Sequence, residues 1–309
     1  MQLLSKPTNI DFMGKGRLAL GLSIVVFVLC VLSLLIRGMN LGLDFTGGTI
    51  IEVGYPAPVD VAAVRDTVRA AGFDEAQVQH FGTSSEVLIR IAPREGLNSA
   101  DISSRVLNAL KAQNPGVEMR RVEFVGPQVG DELIEDGGLA MLYALIGILI
   151  YVALRFEWRL AVGTIAATIH DVVFTIGFFS IFHIEFDLTV LAAVLAVIGY
   201  SVNDTVVVLD RIRENFRRMR KGTTIEVMNI SINQTLSRTL MTSLTTLMAL
   251  VILYFFGGPV LRNFSLAMII GIVIGTYSSI YIASSSALLL GVNREDLLPK
   301  AKEEADKRP

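Results

Sequence analysis

Cysteine is almost absent from this 309-residue chain, and charged residues are scarce. The one cysteine, Cys30, excludes an intrachain disulfide framework and a cysteine-based metal cluster. Because Cys30 lies in an apolar run, we interpret it as a small hydrophobic side chain. Charged residues make up 18% of the chain and hydrophobic residues 52%, and the mean hydropathy is +0.57. This composition excludes an ordinary soluble domain of this size.

The short motifs of the common soluble enzymes are also missing. The sequence has no P-loop, no GxGxxG dinucleotide fingerprint, no GxSxG nucleophile elbow and no HExxH zinc motif. We therefore predict that the protein is not an enzyme, with no catalytic residues, no metal site and no bound cofactor. A nucleotide-driven transporter would have to obtain its nucleotide site from another subunit.

The chain does have long apolar runs. Crossing the roughly 30 Å hydrocarbon core of a bilayer takes about 20 residues of helix. Six runs are long enough, and we predict a transmembrane helix in each: 18–36, 137–154, 160–182, 188–209, 239–256 and 264–292. The first run could be the core of a signal peptide. Its 19 residues without a charge, followed by no small-x-small cleavage pattern, favour an uncleaved anchor.

The charges that flank these runs are unevenly distributed. Residues 37–136 carry 9 basic and 15 acidic residues, whereas residues 211–222 carry 6 basic residues and 1 acidic residue. Because short basic loops stay in the cytoplasm, we predict that both termini (1–17 and 293–309) are cytoplasmic and that 37–136 lies on the opposite side. We interpret 211–222 as a cytoplasmic loop that sets the topology and contacts anionic lipids, rather than as a nucleic-acid-binding patch.

The segment between the first two apolar runs has the pattern of a folded α+β domain. Strand-like runs occupy 49–55, 76–82, 86–93 and 117–126, with 83–85 as a connection, and helical spacing covers 60–72 and 99–114. Asp60 is a predicted N-cap with Gly72 as the stop signal, and Ser99 opens the second helix, which closes before Pro115. The order β-α-β-β-α-β predicts a split βαβ, ferredoxin-like sandwich.

Three of the predicted transmembrane helices contain ionisable residues, although a charge at mid-membrane costs about 2.5–3.5 kcal/mol. These residues are His170 and Asp171 in the third span, Asp204 in the fourth and Arg238 at the inner end of the fifth. Counted from the outer helix ends at about 1.5 Å per residue, Asp204 lies roughly 24 Å inward and Arg238 roughly 27 Å inward. The two opposite charges fall at nearly the same depth on antiparallel helices, so we predict that they form a pair.

Polar side chains accompany these residues at helical spacing. Gln234 and Thr235 precede Arg238, and Thr242, Thr245 and Thr246 follow it. Thr164, Thr168 and Thr175 flank Asp171, and Tyr200 and Ser201 precede Asp204. Residues three and four apart share one face of a helix. We therefore predict that these polar stripes face the bundle interior rather than lipid.

Two interpretations of Asp204 and Arg238 remain open from the residues alone. The pair could be a structural ion pair that fixes the helix register. Alternatively, it could respond to protons, because arginine stays charged whereas an aspartate can titrate, and protonation of Asp204 would leave Arg238 without its partner. A charge that crosses the membrane field gains about 2.3 kcal/mol per 100 mV, somewhat less than the roughly 5.5 kcal/mol that fully switches a two-state element.

The sixth run carries a small residue at every fourth position. These residues are Ala267, Gly271, Gly275, Ser279, Ala283 and Ala287. Small residues at this spacing let helices approach closely, so we interpret the stripe, including Gly271, Gly275 and Ser279, as a helix-packing seam. A ligand groove is the alternative interpretation.

Several long segments resemble the SecD/SecF family of protein-export membrane proteins. GLDFTGGT (42–49), just after the first span, is similar to the family signature, and VGPQVGDEL (125–133) resembles its SecF branch in particular. IHDVVFTIG (169–177), IGYSVNDTVVVLDRIREN (198–215) and SRTLMTSLTT (237–246) follow in the order of the family. The resemblance runs from about residue 10 to residue 290.

This resemblance implies a polytopic α-helical membrane protein with six transmembrane helices, half of an RND-superfamily transporter, and a small periplasmic ferredoxin-like domain between helices 1 and 2. It implies a subunit of the bacterial inner membrane that uses the proton-motive force to complete the translocation and release of secreted proteins. The implied partners are SecD in a heterodimer, the SecYEG channel, YajC and YidC, and the unfolded translocating polypeptide. Protons are the implied coupling ion, with sodium as an alternative.

The family pattern also implies roles for residues inside the membrane. The proton-coupling pair falls on Asp204 and Arg238. A relay or polar seam falls on His170 and Asp171, to which Asn203 and Thr242 are added. Asn203 would form a hydrogen bond with the pair or with a water molecule.

A second set of family residues lies just outside the first span. It comprises Asp44, Thr46, Gly47 and Gly48. Glycines permit a tight turn from helix into sheet, so we interpret this motif as a periplasmic hinge. Contact with the exported substrate is the alternative role.

Two other functions remain open at this point. An RND-type exporter of small molecules or lipids would need a substrate pocket in residues 37–136, and a small domain without an aromatic-rich cleft argues against it. A non-transporting scaffold of the translocon would use Asp204 and Arg238 only to set helix register. Such a scaffold should tolerate a swap of the two charges, whereas a proton transporter should not.

Overall fold

The structure is a computed structural model that describes residues 8–293, except residues 95 and 220. The first seven residues, nearly all of the predicted tail 293–309 and Arg220 of the basic run lie outside the described residues. The described chain forms a bundle of long helices, with one small sheet domain inserted after the first of them.

The sheet domain (residues 48–125) follows the first long helix. The elements up to its end are α1 (Gly16–Ile36), β1 (Asn40–Leu41), α2 (Leu43–Thr46), β2 (Gly48–Gly54), α3 (Val61–Ala70), β3 (Gln77–Phe81), β4 (Thr83–Ile91), α4 (Ser99–Gln113) and β5 (Glu118–Val125). Strands β2 to β5 form an antiparallel sheet in the order β3-β4-β2-β5. This topology confirms the predicted ferredoxin-like sandwich.

The core of the sheet domain follows from the period-two pattern of its strands. Ile51 of β2 lies opposite Ile89 of β4, and both are fully buried in one apolar cluster with residues of α3 and α4. Helix α3 begins after its predicted cap, Asp60, and ends before Gly72, as predicted. The two helices therefore cover one face of the sheet and leave the other face outside this core.

One local prediction in this domain is confirmed and another is wrong. Helix α4 begins at Ser99, as predicted, and the preceding residue, Asn98, caps it, because its side chain accepts a hydrogen bond from the Asp101 amide at 2.8 Å. Residues 83–85 belong to β4 rather than to a connection. The turn is instead made at Gly82, whose φ of 79° suits glycine.

The rest of the described chain forms the bundle. Its elements are α5 (Pro127–Arg155), α6 (Trp158–Ile181), β6 (Glu185–Phe186), α7 (Leu188–Arg218), α8 (Thr224–Phe256), α9 (Gly258–Ser278) and α10 (Ser284–Leu289), with a five-residue π-helix, Ser279–Ala283, between α9 and α10. Within the described residues, six stretches are long and apolar enough to cross a membrane, which agrees with the predicted number. The last of them, Val260–Leu289, includes α9, the π-helix and α10.

Helix α7 extends beyond its predicted span into the basic run. It continues to Arg218, so most of the predicted loop 211–222 is helical. The reason is local, because no proline or glycine interrupts the sequence between Tyr200 and Lys221. A capping box at Thr223 then starts α8.

Three helices form the centre of the bundle. In the apolar stretches of α6, α7 and α9, 61%, 56% and 50% of the residues are buried. The corresponding shares are 17%, 11% and 17% in α1, α5 and α8. Helices α1, α5 and α8 therefore lie at the periphery and present most of their apolar surface outward.

Candidate functional site

Asp204 lies on the buried side of α7 and is 6% exposed. Its Oδ1 accepts a hydrogen bond from Thr239 Oγ1 of α8 at 2.8 Å, and its Oδ2 accepts one from Ser279 Oγ at 2.7 Å. Within residues 8–293, leaving out 95 and 220, no basic side chain lies within 4.0 Å of this carboxyl group. Asp204 therefore joins three helical segments through hydroxyl groups alone.

A second carboxyl group, Asp171 of α6, is fully buried. Its Oδ1 lies 2.9 Å from His170 Nδ1, and its Oδ2 accepts hydrogen bonds from Ser278 Oγ at 2.6 Å and from Ser201 Oγ. His170 is buried and stacks on Phe174 with ring centroids 4.1 Å apart. Its Nε2 has no hydrogen-bond partner among the described residues. The imidazole thus contacts the Asp171 carboxyl group through one ring nitrogen, while the other ring nitrogen is buried.

Two consecutive serines connect these carboxyl groups. Ser278 donates to Asp171 and Ser279 donates to Asp204, at the point where α9 gives way to the π-helix. Adjacent side chains on a helix point about 100° apart, so neighbouring serines can reach residues on two different helices. Short π-helical turns are frequent at functional sites. The sequence prediction treated Ser279 as a packing residue only and did not single out Ser278, although a run of serines inside an apolar span was the available signal.

Arg238 does not form the predicted direct ion pair within this chain. Its side chain is exposed on the outer side of α8, whereas the next residue, Thr239, turns inward to Asp204. Arg238 is still close enough to contribute a Coulombic interaction to Asp204. The predicted common depth therefore agrees with the structure, but the predicted contact is wrong, because only one of two adjacent helical residues can face the neighbouring helix.

The polar stripe that follows Arg238 also faces outward. Thr242 is exposed, and its hydroxyl donates to the carbonyl oxygens of Arg238 at 3.1 Å and Thr239 at 3.0 Å on its own helix. Asn203 is exposed as well and, in the part of the chain that the structure describes, forms no hydrogen bond with Asp204 or Arg238. The inward orientation predicted for the polar residues around Arg238 is therefore wrong for Thr242 and Thr245, which are exposed, but right for Thr235, which is buried. The threonines that flank Asp171 on α6 are buried as predicted.

The small residues of the sixth span lie where α9 meets α7 and α6. A Cβ atom at Gly271 would collide with the side chain of Val197. A Cβ atom at Gly275 would lie 3.3 Å from Ser201 Cβ and 3.6 Å from Asp171 Oδ2. The seam therefore brings the helices close together, and Gly275 also leaves room for the Asp171 carboxyl group.

The glycine motif after α1 forms a tight turn into the sheet domain. Gly47 and Gly48 have φ values of 66° and 125°, and a Cβ atom at Gly48 would lie 2.5 Å from a carbonyl oxygen of β4. Thr46 Oγ1 donates to a carbonyl oxygen inside the turn at 3.2 Å. Asp44 Oδ2 accepts a hydrogen bond from the Leu188 amide at 3.0 Å. The turn has the geometry that only glycine adopts easily, and bending at this point stays a prediction.

The basic run at the end of α7 is partly neutralised within the chain. Arg213 Nε lies 3.3 Å from Glu157 Oε1, and Arg211 Nη1 lies 2.6 Å from Glu214 Oε2. Exposed ion pairs of this kind add little stability. They reduce the positive charge that this run offers to anionic lipids, and contact with lipids stays a prediction.

Two family models match the sequence. The model for the C-terminal part of the protein export membrane proteins SecD and SecF matches residues 105–293, and the model for the SecD/SecF GG motif matches residues 32–58. The protein translocase subunit SecF of Vibrio alginolyticus is 50% identical over 299 residues, which cover 96% of this chain and 95% of that protein. The SecF subunit of Escherichia coli O157:H7 is 49% identical over 300 residues, which cover 96% and 93% of the two chains.

Solved structures of SecDF are similar to this chain. The crystal structure of SecDF, a translocon-associated membrane protein from Thermus thermophilus, matches with a TM-score of 0.84 and 38% sequence identity. The match covers 94% of this chain but only 39% of the longer SecDF chain. A second SecDF structure, in a super-membrane-facing form, matches with a TM-score of 0.71.

Proposed function

Because this chain belongs to the SecD/SecF family of protein export membrane proteins, we propose that it works with a SecD-type partner and uses the proton-motive force to complete the export of secreted proteins. Its similarity over nearly its whole length to SecF subunits makes it a multi-pass membrane subunit of the protein translocation machinery. We propose three further points about this subunit: its energy source, its partner subunit and its orientation in the membrane.

The observation that carries the proposal is the environment of Asp204. A buried, ionised carboxylate is costly unless it is paired or hydrogen-bonded, and the buried carboxyl group of Asp204 is held by the hydroxyl groups of Thr239 and Ser279 rather than by a cation in the described chain. A hydroxyl group can donate to a carboxylate or accept from a carboxylic acid. A proton can therefore bind and leave Asp204 without leaving a buried polar group unpaired, as a proton-carrying site requires.

Arg238 supports a role for a partner subunit. Its guanidinium group keeps its charge and lies on the outer side of α8, within Coulombic range of Asp204. An acidic side chain from a SecD-type subunit that covers this face would pair with Arg238. Protonation of Asp204 would then change the balance of charge between the two subunits, and the helices at their interface would rearrange.

The remaining features of the proposal concern location and further partners. Both termini lie in the cytoplasm of the bacterial inner membrane and the sheet domain lies in the periplasm, which the basic residues at the end of α7 support. The SecYEG channel, YajC, YidC and the unfolded exported chain are the further partners. Sodium is the alternative coupling ion, and anionic lipids contact 211–222.

The decisive experiment compares two Asp→Asn substitutions on α7. The chain is reconstituted into proteoliposomes with its SecD-type partner and the channel, and release of an exported protein is measured with and without a proton gradient or a sodium gradient. We expect Asp204→Asn to abolish the gradient-dependent part of export while the complex still assembles. Asp210→Asn is the matched control, because Asp210 lies on the same helix and pairs with Arg155 at 2.5 Å.

The outcomes separate the possible functions. Normal gradient-dependent export by Asp204→Asn would reject proton coupling at this site. Stimulation by a sodium gradient alone would replace the proton by sodium. Full function after the two charges are exchanged, with Asp204→Arg and Arg238→Asp in one chain, would favour the scaffold.

A further inference from the structure

The sheet domain meets the bundle at a junction built around the α6–α7 turn (residues 182–187). Strand β1 pairs in parallel with β6 of this turn, and the Gly42 amide donates to the Phe186 carbonyl oxygen at 2.8 Å. A side chain at position 42 would be crowded, because its Cβ atom would lie 3.0 Å from Glu185 Oε1 and 3.1 Å from Asp187 Cβ. The chain that leads into the sheet domain is therefore pressed directly onto the turn.

An ion pair crosses the same junction from the sheet. Arg90 of β4 pairs with Glu185, and the two side chains are only 15% and 17% exposed. On the other side of the turn, Asn263 Nδ2 of α9 donates to the Glu185 carbonyl oxygen at 3.2 Å. Glu185 is thus held between the sheet domain and the bundle.

Two carboxylates cap α7 at this place. Asp187 Oδ1 accepts a hydrogen bond from the Val190 amide at 2.9 Å, and Asp44 Oδ2 accepts one from the Leu188 amide at 3.0 Å. The first amides of a helix have no hydrogen-bond acceptor within the helix, so each of the two carboxylates accepts a hydrogen bond from an amide that would otherwise be unpaired. Asp44 belongs to α2, which leads directly into the sheet domain. The helix that begins here carries Asp204, roughly 24 Å away at about 1.5 Å per residue.

A cleft of about 1120 Å³ borders the junction and lies between the open face of the sheet and the adjoining ends of α8 and α9. Asp44, Arg90 and Glu185 of the junction are among the residues that line it. The sheet domain therefore contacts the bundle at the junction and faces open volume directly beside it.

We propose that Asp44, Arg90 and Glu185 position the sheet domain on the N-terminal end of α7, so that movement of the helix that carries Asp204 is transmitted to the sheet domain. This inference deepens the proposed function and rests on it. Because α7 is continuous from Leu188 to Arg218, a displacement at Asp204 reaches its capped end. The cleft gives the domain the room to tilt in response.

The ion pair between Arg90 and Glu185 fixes the position of the sheet domain more than it stabilises the fold. Burial raises the pKa of Glu185, and the opposing attraction of Arg90 does not offset that effect. The nearby carboxylates of Asp187 and Asp44 raise the pKa of Glu185 further. Desolvation of a buried pair often exceeds its Coulombic gain, so such pairs specify geometry at little net gain in stability.

The test uses charge reversal and rescue in the complex with the SecD-type partner and the channel. Arg90→Glu places two carboxylates at the junction, and we expect gradient-dependent export to fall by at least about tenfold because a buried pair is broken. We expect hydrogen exchange at the Gly42 and Leu188 amides to become faster at the same time. The double variant Arg90→Glu/Glu185→Arg restores opposite charges and should recover most of both losses. Arg120→Glu is the matched control, because its ion pair with Glu118, at 3.7 Å, is exposed on β5 and neither residue lines the cleft.

Two results would overturn the inference. In the first, Arg90→Glu exports normally although hydrogen exchange at the Gly42 and Leu188 amides becomes faster. In the second, the double variant does not recover export although slow hydrogen exchange in β2 shows that the sheet domain is folded. Failure of the proposed function looks different. In that case Asp204→Asn exports normally, and the junction variants still show their paired loss and rescue.

Discussion

The sheet domain and the helix bundle distribute polar residues in opposite ways. The buried residues of the sheet domain are apolar apart from Thr49, Thr67 and Ser103, with Ile51 and Phe73 among the fully buried ones. The bundle instead exposes large apolar side chains along α1, α5 and α8 and buries Asp171, Asp204 and several serines and threonines. The reason is the solvent, because lipid accepts apolar side chains while polar groups inside the membrane must satisfy one another. Burial of a polar residue in this bundle therefore points to function, whereas burial in the sheet domain points to stability.

The largest expected effect tests this comparison with one substitution in two places. Ile51→Ala in the core of the sheet domain should destabilise it by about 2–5 kcal/mol, because a fully buried side chain leaves a cavity. Ile252→Ala on α8, where the side chain is 60% exposed, should cost less than about 0.5 kcal/mol. Hydrogen exchange of the full-length complex would measure both, and equal losses at the two positions would contradict the contrast.

The next effect concerns the buried hydroxyl groups of the bundle. Ser279→Ala removes one of the two side-chain donors to Asp204 and should cost about 1–3 kcal/mol at that site. Ser278→Ala should impair export less, because Asp171 keeps its contacts with Ser201 and His170. Gradient-dependent export is the measurement, and Ser279→Thr should restore it because the hydroxyl group returns. If Ser278→Ala proved the more damaging, the ranking of the two carboxyl groups would be wrong.

A smaller effect is expected at a helix end of the sheet domain. Asp60→Ala removes the side chain that accepts a hydrogen bond from the Ala62 amide at 2.9 Å. Loss of such a cap costs about 0.5–2 kcal/mol. Faster exchange of the first amides of α3 should report it, with export unchanged, because this helix lies away from the junction with the bundle. A drop in export would show that α3 takes part in transport.

The smallest effect is expected from Glu185→Gln, at the boundary between the two regions. Burial raises the pKa of Glu185 above its ordinary value of 4.5, so the protonated form is favoured by folding. Its contribution to stability is fully present below pH 4.5 and is lost as the pH rises through the raised value. Glutamine copies the protonated form, so at neutral pH the variant should be at least as stable as the wild type. Thermal unfolding of the two complexes across this pH range would test the sign, and a variant that is clearly less stable at neutral pH would contradict it.

The sheet domain was accessible to sequence reasoning because water lies on one side of each element. Alternation along its strands, the Asp60 cap and the Gly72 stop each predicted a feature that the structure contains. The error there was small, since only residues 83–85 were misplaced, and they belong to β4 rather than to a connection. In the bundle, length and hydropathy predicted the number of spans. They did not predict which face of a span turns inward.

The face of α8 is the clearest example of that limit. Arg238 and Thr239 are adjacent, and either could have met Asp204 from the sequence alone. Polar residues lie on both faces of α8, since Thr235 and Ser243 are buried whereas Thr242 and Thr245 are exposed, so the pattern could not separate the side that packs on α7 from the side that faces outward. Packing selected Thr239, and it placed Ser278 and Ser279 on two different carboxyl groups.

The sequence by itself determined six apolar spans, the order of strands and helices in the inserted domain, and the residues that resemble the SecD/SecF family. Tertiary structure alone decided that Asp204 binds hydroxyl groups instead of Arg238, and that Asp44 and Arg90 attach the sheet domain to the start of α7. The physical reason is the separation along the chain over which each signal acts. Hydropathy and turn signals act between residues close in the chain, whereas these contacts join residues 35 to 144 positions apart, and only the packed helices bring them together.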